Sequence, residues 1–229
     1  MNRLPVEDRA LLLGALAEGH GIQTTCRLTS ASKNTVLKLV ADVGAACTSY
    51  VEQHMRALPC RRVRCESAAI PGQFFSYSAM DMDTQLVFWW GVGDHLHPGT
   101  STLMAELAPR VSGRALVRTT SLQGLPDVID GSAALITDDE HLVPAREATS
   151  DDPVANAAAR SLGCNAKKLK HLHAISLHFM VHNFARLHPA LGRSPAMAAG
   201  LAPALWTMKD LIDMTDMPCT RAKPPQTPA

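Results

Sequence analysis

The stretch that decides the fold is Val6–Ala46, VEDRALLLGALAEGHGIQTTCRLTSASKNTVLKLVADVGAA. Apolar residues recur in it at helical spacing, and residues that end or cap helices interrupt them, which predicts three short helices. Pro5 suits the start of the first helix, because proline has no N–H to lose there. Gly19 and Gly21 end that helix, and Ile22–Leu28 forms the second. A tight turn before the third helix makes this segment a predicted helix-turn-helix.

The third helix carries the candidate binding residues. Thr29–Ala31 turns the chain, and Ser32 is predicted to cap the helix by accepting a hydrogen bond from a free backbone N–H. The apolar residues Val36, Val40 and Val43 share one face, which is flanked by Leu37 and Leu39. The polar residues on the other side are Lys33, Asn34, Thr35 and Lys38. A polar, cationic N-terminal half suits docking in the major groove of DNA, so these four residues are the predicted DNA-binding residues. The alternative is a plain three-helix bundle with a solvated polar face.

Composition excludes a strongly basic protein. The chain has 229 residues, 46% of them hydrophobic, and a net charge of +1, which is ordinary for a packed globular protein. Positive charge is clustered locally instead, at Arg56, Arg61, Arg62 and Arg64 and at Lys167, Lys168 and Lys170. Either cluster can meet phosphates, but such clusters are more often solvated faces.

Cysteine usage and the N-terminus predict a cytoplasmic protein with reduced thiols. The chain has six cysteines and no apolar signal segment near its start. No apolar run is long enough for a membrane span, so no membrane partner is expected. Cys60 and Cys65 with His178 and His182 form a conceivable zinc set, but the pairs lie far apart in the sequence. We therefore expect the histidines to be packed on a helix.

Beyond the first helices the pattern changes to strands. Arg61–Glu66 alternates in polarity, and two apolar strands, Gln73–Met80 and Gln85–Val92, flank a polar turn and predict a hairpin. Asp81 and Asp83 are interpreted as turn residues. The remaining predicted elements are a helix at Cys47–Leu58, a helix at Pro98–Leu107, strands at Ala115–Thr119 and Ala133–Thr137, a helix at Ser150–Leu162 and a long helix at Lys168–Leu187. The long helix is predicted to carry on or near its apolar side Leu169, Leu172, Ile175, Phe179 and Phe184.

This order of elements predicts an α/β chain in which the helix-turn-helix precedes a partial RNase H-like domain with a long C-terminal helix. In that fold the sheet supports carboxylates that bind two divalent metals. Two such metals can stabilise both the attacking and the leaving oxygen in phosphoryl transfer. Because Mg²⁺ needs several oxygen ligands, this chemistry requires carboxylates that converge in space.

Four segments resemble a known family. They are similar to bacterial insertion-sequence transposases of the Asp-Asp-Glu class. In chain order these segments are LLLGALAEGHGIQTTCRLTSASKNTVLKLVADVGAAC, LPCRRVRCE, AMDMDTQLVFWWGVG and AKKLKHLHAISLHFMVHNFARLHPALGRSPAMAAGLAPALWTMKDLI. The closest likeness is to the group typified by the first-numbered insertion sequence. The resemblance covers about residues 1–117 and 166–213 and is collinear. It implies an RNase H-like catalytic domain that cuts and joins DNA, with Mg²⁺, double-stranded DNA and a homo-oligomer.

The carboxylate triad of that family is not matched. The first family aspartate follows the strand cysteine, and here Cys65 is followed by Glu66. At the second position Ser121 stands where an aspartate is expected, and a rival alignment places the ligand at Asp138. The third carboxylate has no matching context, and Glu147 alone lies at about the right distance. The candidate catalytic residues are therefore Glu66, Asp138 and Glu147, and we expect catalysis to be lost.

The sequence predicts a transposase homologue that binds DNA through its N-terminus and has lost the triad. The alternative is a domesticated, sequence-specific DNA-binding regulator without catalysis. The predicted domains are a helix-turn-helix at 1–47, a linker helix at 48–60, a degenerate RNase H-like domain at 61–213 and a disordered proline-rich tail at 214–229. Because the middle is short, we expect 120–166 to be poorly ordered and part of Phe88, Trp90 and Val92 to be uncovered.

Overall fold

Three helices form the N-terminal part of the chain: α1 (Val6–Ala17), α2 (Ile22–Thr29) and α3 (Lys33–His54). The computed structural model of the chain describes residues 4–70, 74–93, 100–119, 128–130, 134–135, 143–144 and 166–216. The predicted helix at Ser150–Leu162, the predicted disordered tail beyond residue 216 and most of 120–166 lie outside these residues. None of the described helices has the length and apolar character needed to cross a membrane.

The chain divides into two compact units. Met1–Tyr50 and Lys170–Ala229 form one, which we call the helical unit, and Val51–Leu169 forms the other, the sheet unit. The later helices are α4 (Thr100–Leu107), α5 (Ala166–Met180), α6 (Pro195–Ala198) and α7 (Met208–Asp213). A 3₁₀ turn, Ala108–Arg110, follows α4, and a π-helical turn, Val181–Ala185, follows α5. Most of the segment predicted as a linker helix, 48–54, continues α3 without a break.

The core of the helical unit joins the two ends of the chain. Leu12 and Leu13 of α1 are buried, as are Leu211 and Ile212 of α7. Arg9, itself buried, donates from Nη2 to Asp216 Oδ2 at 2.9 Å, which ties α1 to the segment after α7. Packing and an ion pair therefore hold segments together that lie far apart in the sequence.

An aromatic cluster fills the middle of the helical unit. Tyr50 meets Phe184 edge to face with ring centroids 5.5 Å apart, and it meets Trp206 at the same distance. The rings of Phe184 and Trp206 lie 4.3 Å apart, and the backbone N–H of Trp206 donates to the backbone carbonyl of Phe184 at 2.9 Å. Aromatic pairs at such distances add to the stabilisation that comes from burial alone. Burial raises the pKa of Tyr50 to about 12, so its phenol stays protonated.

The buried stripes of two helices are rotated relative to the prediction. In α3 as far as Cys47, the buried side chains are Val36, Leu39, Val43 and Cys47, whereas Val40, predicted on the apolar face, is only half-buried. In the long C-terminal helix the buried apolar residues are Leu177, Met180, Val181 and Phe184. Of the five residues predicted on its apolar side, Phe184 is buried, and the half-buried ones are Leu169, Leu172, Ile175 and Phe179. Both errors are rotations about the helix axis, because apolar residues surround much of each helix.

The sheet unit confirms the predicted α/β class, with a mixed sheet beside helices. Its four longer strands are β1 (Arg62–Ile70), β2 (Phe74–Asp81), β3 (Val87–Gly93) and β4 (Arg114–Thr119). Three short strands follow: β5 (Val128–Asp130), β6 (Ala134–Leu135) and β7 (Val143–Pro144). The order across the sheet is β3-β2-β1-β4-β5-β6-β7. β1 pairs in parallel with β4, and the other neighbouring strands are antiparallel.

The hairpin of β2 and β3 forms as predicted, around a turn held by Asp81. This buried carboxylate accepts hydrogen bonds from the backbone N–H of Asp83 at 3.2 Å and of Thr84 at 3.3 Å, and from the Thr84 hydroxyl at 2.6 Å. The interpretation of Asp81 and Asp83 as turn residues is therefore confirmed. Phe88 is fully buried and Trp90 is 8% exposed, so the expectation of an uncovered face is wrong for both.

A buried ion pair joins the end of α3 to the turn after α4. Arg110 donates from Nη2 to Glu52 Oε1 at 2.5 Å, and their side chains are 1% and 9% exposed. Arg56, on the exposed side, reaches the other Glu52 oxygen at 3.2 Å. Burial lowers the pKa of Arg110, and the Glu52 charge opposes that shift. Glu52 is thus the anion that keeps a buried guanidinium compensated.

Candidate nucleic-acid interface

The turn between α2 and α3 is short and locally fixed. Ser30 has a φ of 56°, the left-handed conformation that costs a residue with a side chain about 1–2 kcal/mol. Ser32 Oγ accepts the Thr35 N–H at 3.2 Å and lies 2.8 Å from the Thr35 hydroxyl. The predicted cap of α3 is therefore confirmed, and it positions the first turn of the helix.

Of the four predicted DNA-binding residues, three lie on the surface. Lys33, Asn34 and Lys38 are exposed, whereas Thr35 is half-buried and its hydroxyl is engaged with Ser32. Thr35 therefore acts as part of the cap in this structure. Because Val36 is fully buried beneath them, these exposed side chains project from a helix that is anchored in the core.

Two cations beside the turn differ in their partners. Lys38 Nζ lies 2.8 Å from Asp42 Oδ2, one helical turn later, and both side chains are well exposed. Such an exposed pair stabilises a helix by only about 0.3–0.5 kcal/mol, so Lys38 can exchange Asp42 for a phosphate at small cost. Lys33 makes no ion pair with any described residue. It is therefore the cation best placed to meet an external anion.

Arg27 is a cation near this turn that sequence reasoning missed. It is exposed in the last turn of α2, and its Nη2 donates to Thr24 Oγ1 at 3.4 Å. Its position near the end of the second helix, beside the turn, indicates a candidate contact with DNA. The predicted DNA-binding residues all lie on the third helix. Arg27 extends the candidate interface, which we call the α2–α3 surface and define as Arg27, Lys33, Asn34 and Lys38.

The candidate catalytic carboxylates are not brought together by the described residues. Glu66 lies on β1, its side chain is 50% exposed, and its Oε1 is 3.9 Å from the Arg64 guanidinium. Asp138, Glu147 and the serine at position 121 lie outside the described residues. Among those described, no group of three or more His, Cys, Asp or Glu side chains is placed to hold a metal ion.

The surroundings of Glu66 do not fit Mg²⁺. A magnesium ion needs several oxygen ligands, and the charged neighbour at Glu66 is the cation Arg64. Asp81, the buried carboxylate of the same sheet, already accepts hydrogen bonds from its own turn. We therefore derive no catalytic step through a metal.

The thiols of the conceivable zinc set are protonated, buried groups. Burial raises the pKa of Cys60 to about 12, with a further contribution from the charges of Asp81 and Asp83. Burial, with a contribution from Glu66, raises the pKa of Cys65 to about 12. Both thiols are buried, and a free buried cysteine packs as a small apolar residue of the core.

Comparison of the chain with protein-family models, with curated proteins and with solved structures finds no match. Membership of the insertion-sequence transposases is therefore a proposal that rests on the sequence resemblance.

Proposed function

We propose that this chain binds double-stranded DNA through the α2–α3 surface and is a homologue of insertion-sequence transposases that has lost the carboxylate triad. The observation that carries the proposal is the capped start of α3, which presents Lys33 and Asn34 to solvent directly after a three-residue turn. Helix N-termini and lysines are common ligands of DNA phosphates, and residues in the first turns of such a helix can reach base edges.

The order of elements supports the RNase H-like part of the proposal. The prediction rested on a strand, a hairpin, a helix, a strand and a final long helix. The chain has β1, the β2–β3 hairpin, α4, β4 and α5 in that order. Mg²⁺ and a homo-oligomer belong to the proposal through the resemblance alone.

A specific observation favours the alternative of a DNA-binding regulator without catalysis. Glu66 occupies the position nearest to the first family carboxylate, yet its neighbour is Arg64 at 3.9 Å. A cation at that distance competes with a metal for the carboxylate. Inverted repeats flanking the gene would favour a mobile element, and a lone gene beside an operator-like site would favour the regulator.

The test is a salt titration of DNA binding by the full chain. Replacing Lys33→Ala together with Lys38→Ala should weaken binding to duplex DNA several-fold. It should also lower the slope of log K against log salt by about two units, about one for each lost phosphate contact. The control is Arg193→Ala with Lys209→Ala, which removes two exposed cations elsewhere in the helical unit. An unchanged affinity and slope in the Lys33 and Lys38 variant would remove α3 from the interface.

A further inference from the structure

The sheet unit carries a second basic surface. In β1, Val63 and Cys65 are buried, so Arg62 and Arg64 lie on the opposite face of the sheet. In β4, Ala115 and Val117 are buried, so the opposite face carries Arg114, Leu116 and Arg118. We call this face the arginine face and define it as Arg62, Arg64, Arg114, Leu116 and Arg118.

The register of the two strands brings like charges together. β1 and β4 are parallel, with Arg62 beside Leu116 and Arg64 beside Arg118. Neighbouring strands are about 4.8 Å apart, so the stems of Arg64 and Arg118 begin side by side. Like charges directly opposite one another destabilise a sheet, unless an anion lies between them.

Carboxylates stand beside three of the four arginines of this face, and Arg118 is the exception among the described residues. Arg62 is bound by the Asp83 carboxylate, with Nε 3.2 Å from Oδ1, and Arg64 has only the distant Glu66 at 3.9 Å. Arg114 is exposed and stands directly across from Asp130 in the register of β4 and β5. Arg118 is exposed and makes no ion pair with any described residue. Leu116 lies among the arginines with 55% of its surface exposed.

We propose that the arginine face binds the phosphate backbone of duplex DNA. Arginine donates in a planar fork that suits phosphate oxygens, and a phosphate between Arg64 and Arg118 would relieve their repulsion. This inference rests on the proposed function and adds a second contact surface to the α2–α3 surface.

The test uses the full chain, a fluorescent duplex of mixed sequence and a titration with NaCl. Replacing Arg114→Gln together with Arg118→Gln should lower the slope of log K against log salt by about 1.8 units, at about 0.9 per phosphate. Arg114→Lys with Arg118→Lys keeps the charges and should keep the slope. Arg193→Gln with Lys209→Gln removes two exposed cations from the helical unit and should also leave the slope unchanged.

Folding of the glutamine variant is checked by its thermal midpoint. Because the substitution removes a like-charge contact, the midpoint should stay the same or rise. If the midpoint falls, the slope is measured instead with Arg118→Gln alone, where a loss of about 0.9 units is expected.

The outcomes separate this inference from the proposed function. An unchanged slope in the Arg114 and Arg118 variant, with a reduced slope in the Lys33 and Lys38 variant, overturns the arginine face and leaves the α2–α3 surface. The reverse result supports the arginine face and contradicts the α2–α3 surface. A chain that binds no DNA overturns both proposals. Binding of an acidic peptide as tightly as DNA, with the same loss in the glutamine variant, would assign the arginine face to an acidic protein segment instead.

Discussion

The buried pair of Glu52 and Arg110 offers a sharp test of how the sheet unit is held together. Replacing Glu52→Gln keeps the side-chain shape and removes the nearer of the two negative charges that the described residues place beside a guanidinium that is 1% exposed. Breaking a buried ion pair on one side costs about 3–5 kcal/mol, because a charge is left uncompensated away from water. Glu106 lies 3.9 Å from Arg110 and offsets part of this loss. We therefore expect a loss near the lower end, about 3 kcal/mol.

Two further variants isolate the cause. Arg56→Gln removes only the exposed cation of the cluster and should cost less than about 1 kcal/mol. The double replacement Glu52→Leu with Arg110→Met fills the same space with apolar groups, and it should leave stability within about 1 kcal/mol of the parent.

Urea unfolding measures these differences. The chain has three tryptophans, Trp89, Trp90 and Trp206, and only the last lies in the helical unit. In a Trp206→Phe background the fluorescence change therefore reports on the sheet unit alone. The reasoning would be refuted if Glu52→Gln cost no more than Arg56→Gln, or if the double apolar variant were as unstable as Glu52→Gln.

Three other outcomes are expected. Purified protein should show no Mg²⁺- or Mn²⁺-dependent DNA cleavage, because two-metal transfer needs converging carboxylates; cleavage that disappears in Glu66→Gln would contradict this. Gly44→Ala should lower stability by about 1–3 kcal/mol in thermal melts, because a new Cβ would lie 2.5 Å from the His173 Cβ. Gly14→Ala should instead stabilise α1, because a new Cβ there would make only an ordinary contact, 3.9 Å from Met208 Cγ. Burial lowers the pKa of His178, so as the pH falls the unfolded chain binds a proton at this histidine before the folded chain does. The thermal midpoint should therefore fall as the pH drops through about 6.5. This pH dependence should be weaker in His178→Gln, and an equal pH dependence in that variant would contradict the reasoning.

Local features were predictable from the sequence because each depends on residues close together in the chain. The Ser32 cap needs only its neighbour three residues later, and the alternation of Val63 and Cys65 marks a strand with one buried face. The Asp81 turn likewise uses its own next residues as donors. In each case the physical cause lies within a few residues.

Features that depend on distant pairing were not predictable. The arginine cluster around Arg64 was visible, but its partner Arg118 becomes a neighbour only through the parallel register of β1 and β4. Nothing local indicated that Arg110 would be buried, because its partner Glu52 lies 58 residues away. The choice of Leu39 over Val40 for the core also depends on which side of α3 is packed, and a helix with apolar residues on several sides leaves that open.

The way the helical unit is assembled from both chain ends has a consequence for synthesis on the ribosome. Arg9 and Asp216 are separated by 207 residues, so their contact cannot form until the chain has emerged as far as Asp216. Until then Leu211 and Ile212 are not available to pack against Leu12 and Leu13. The apolar surface of α1 therefore stays exposed and can associate with other nascent chains. Closing so long a loop is also slow compared with forming local contacts. A product truncated before α7 would therefore keep its binding helices but lack the cover that makes them a stable unit, which makes it a substrate for chaperones and proteases.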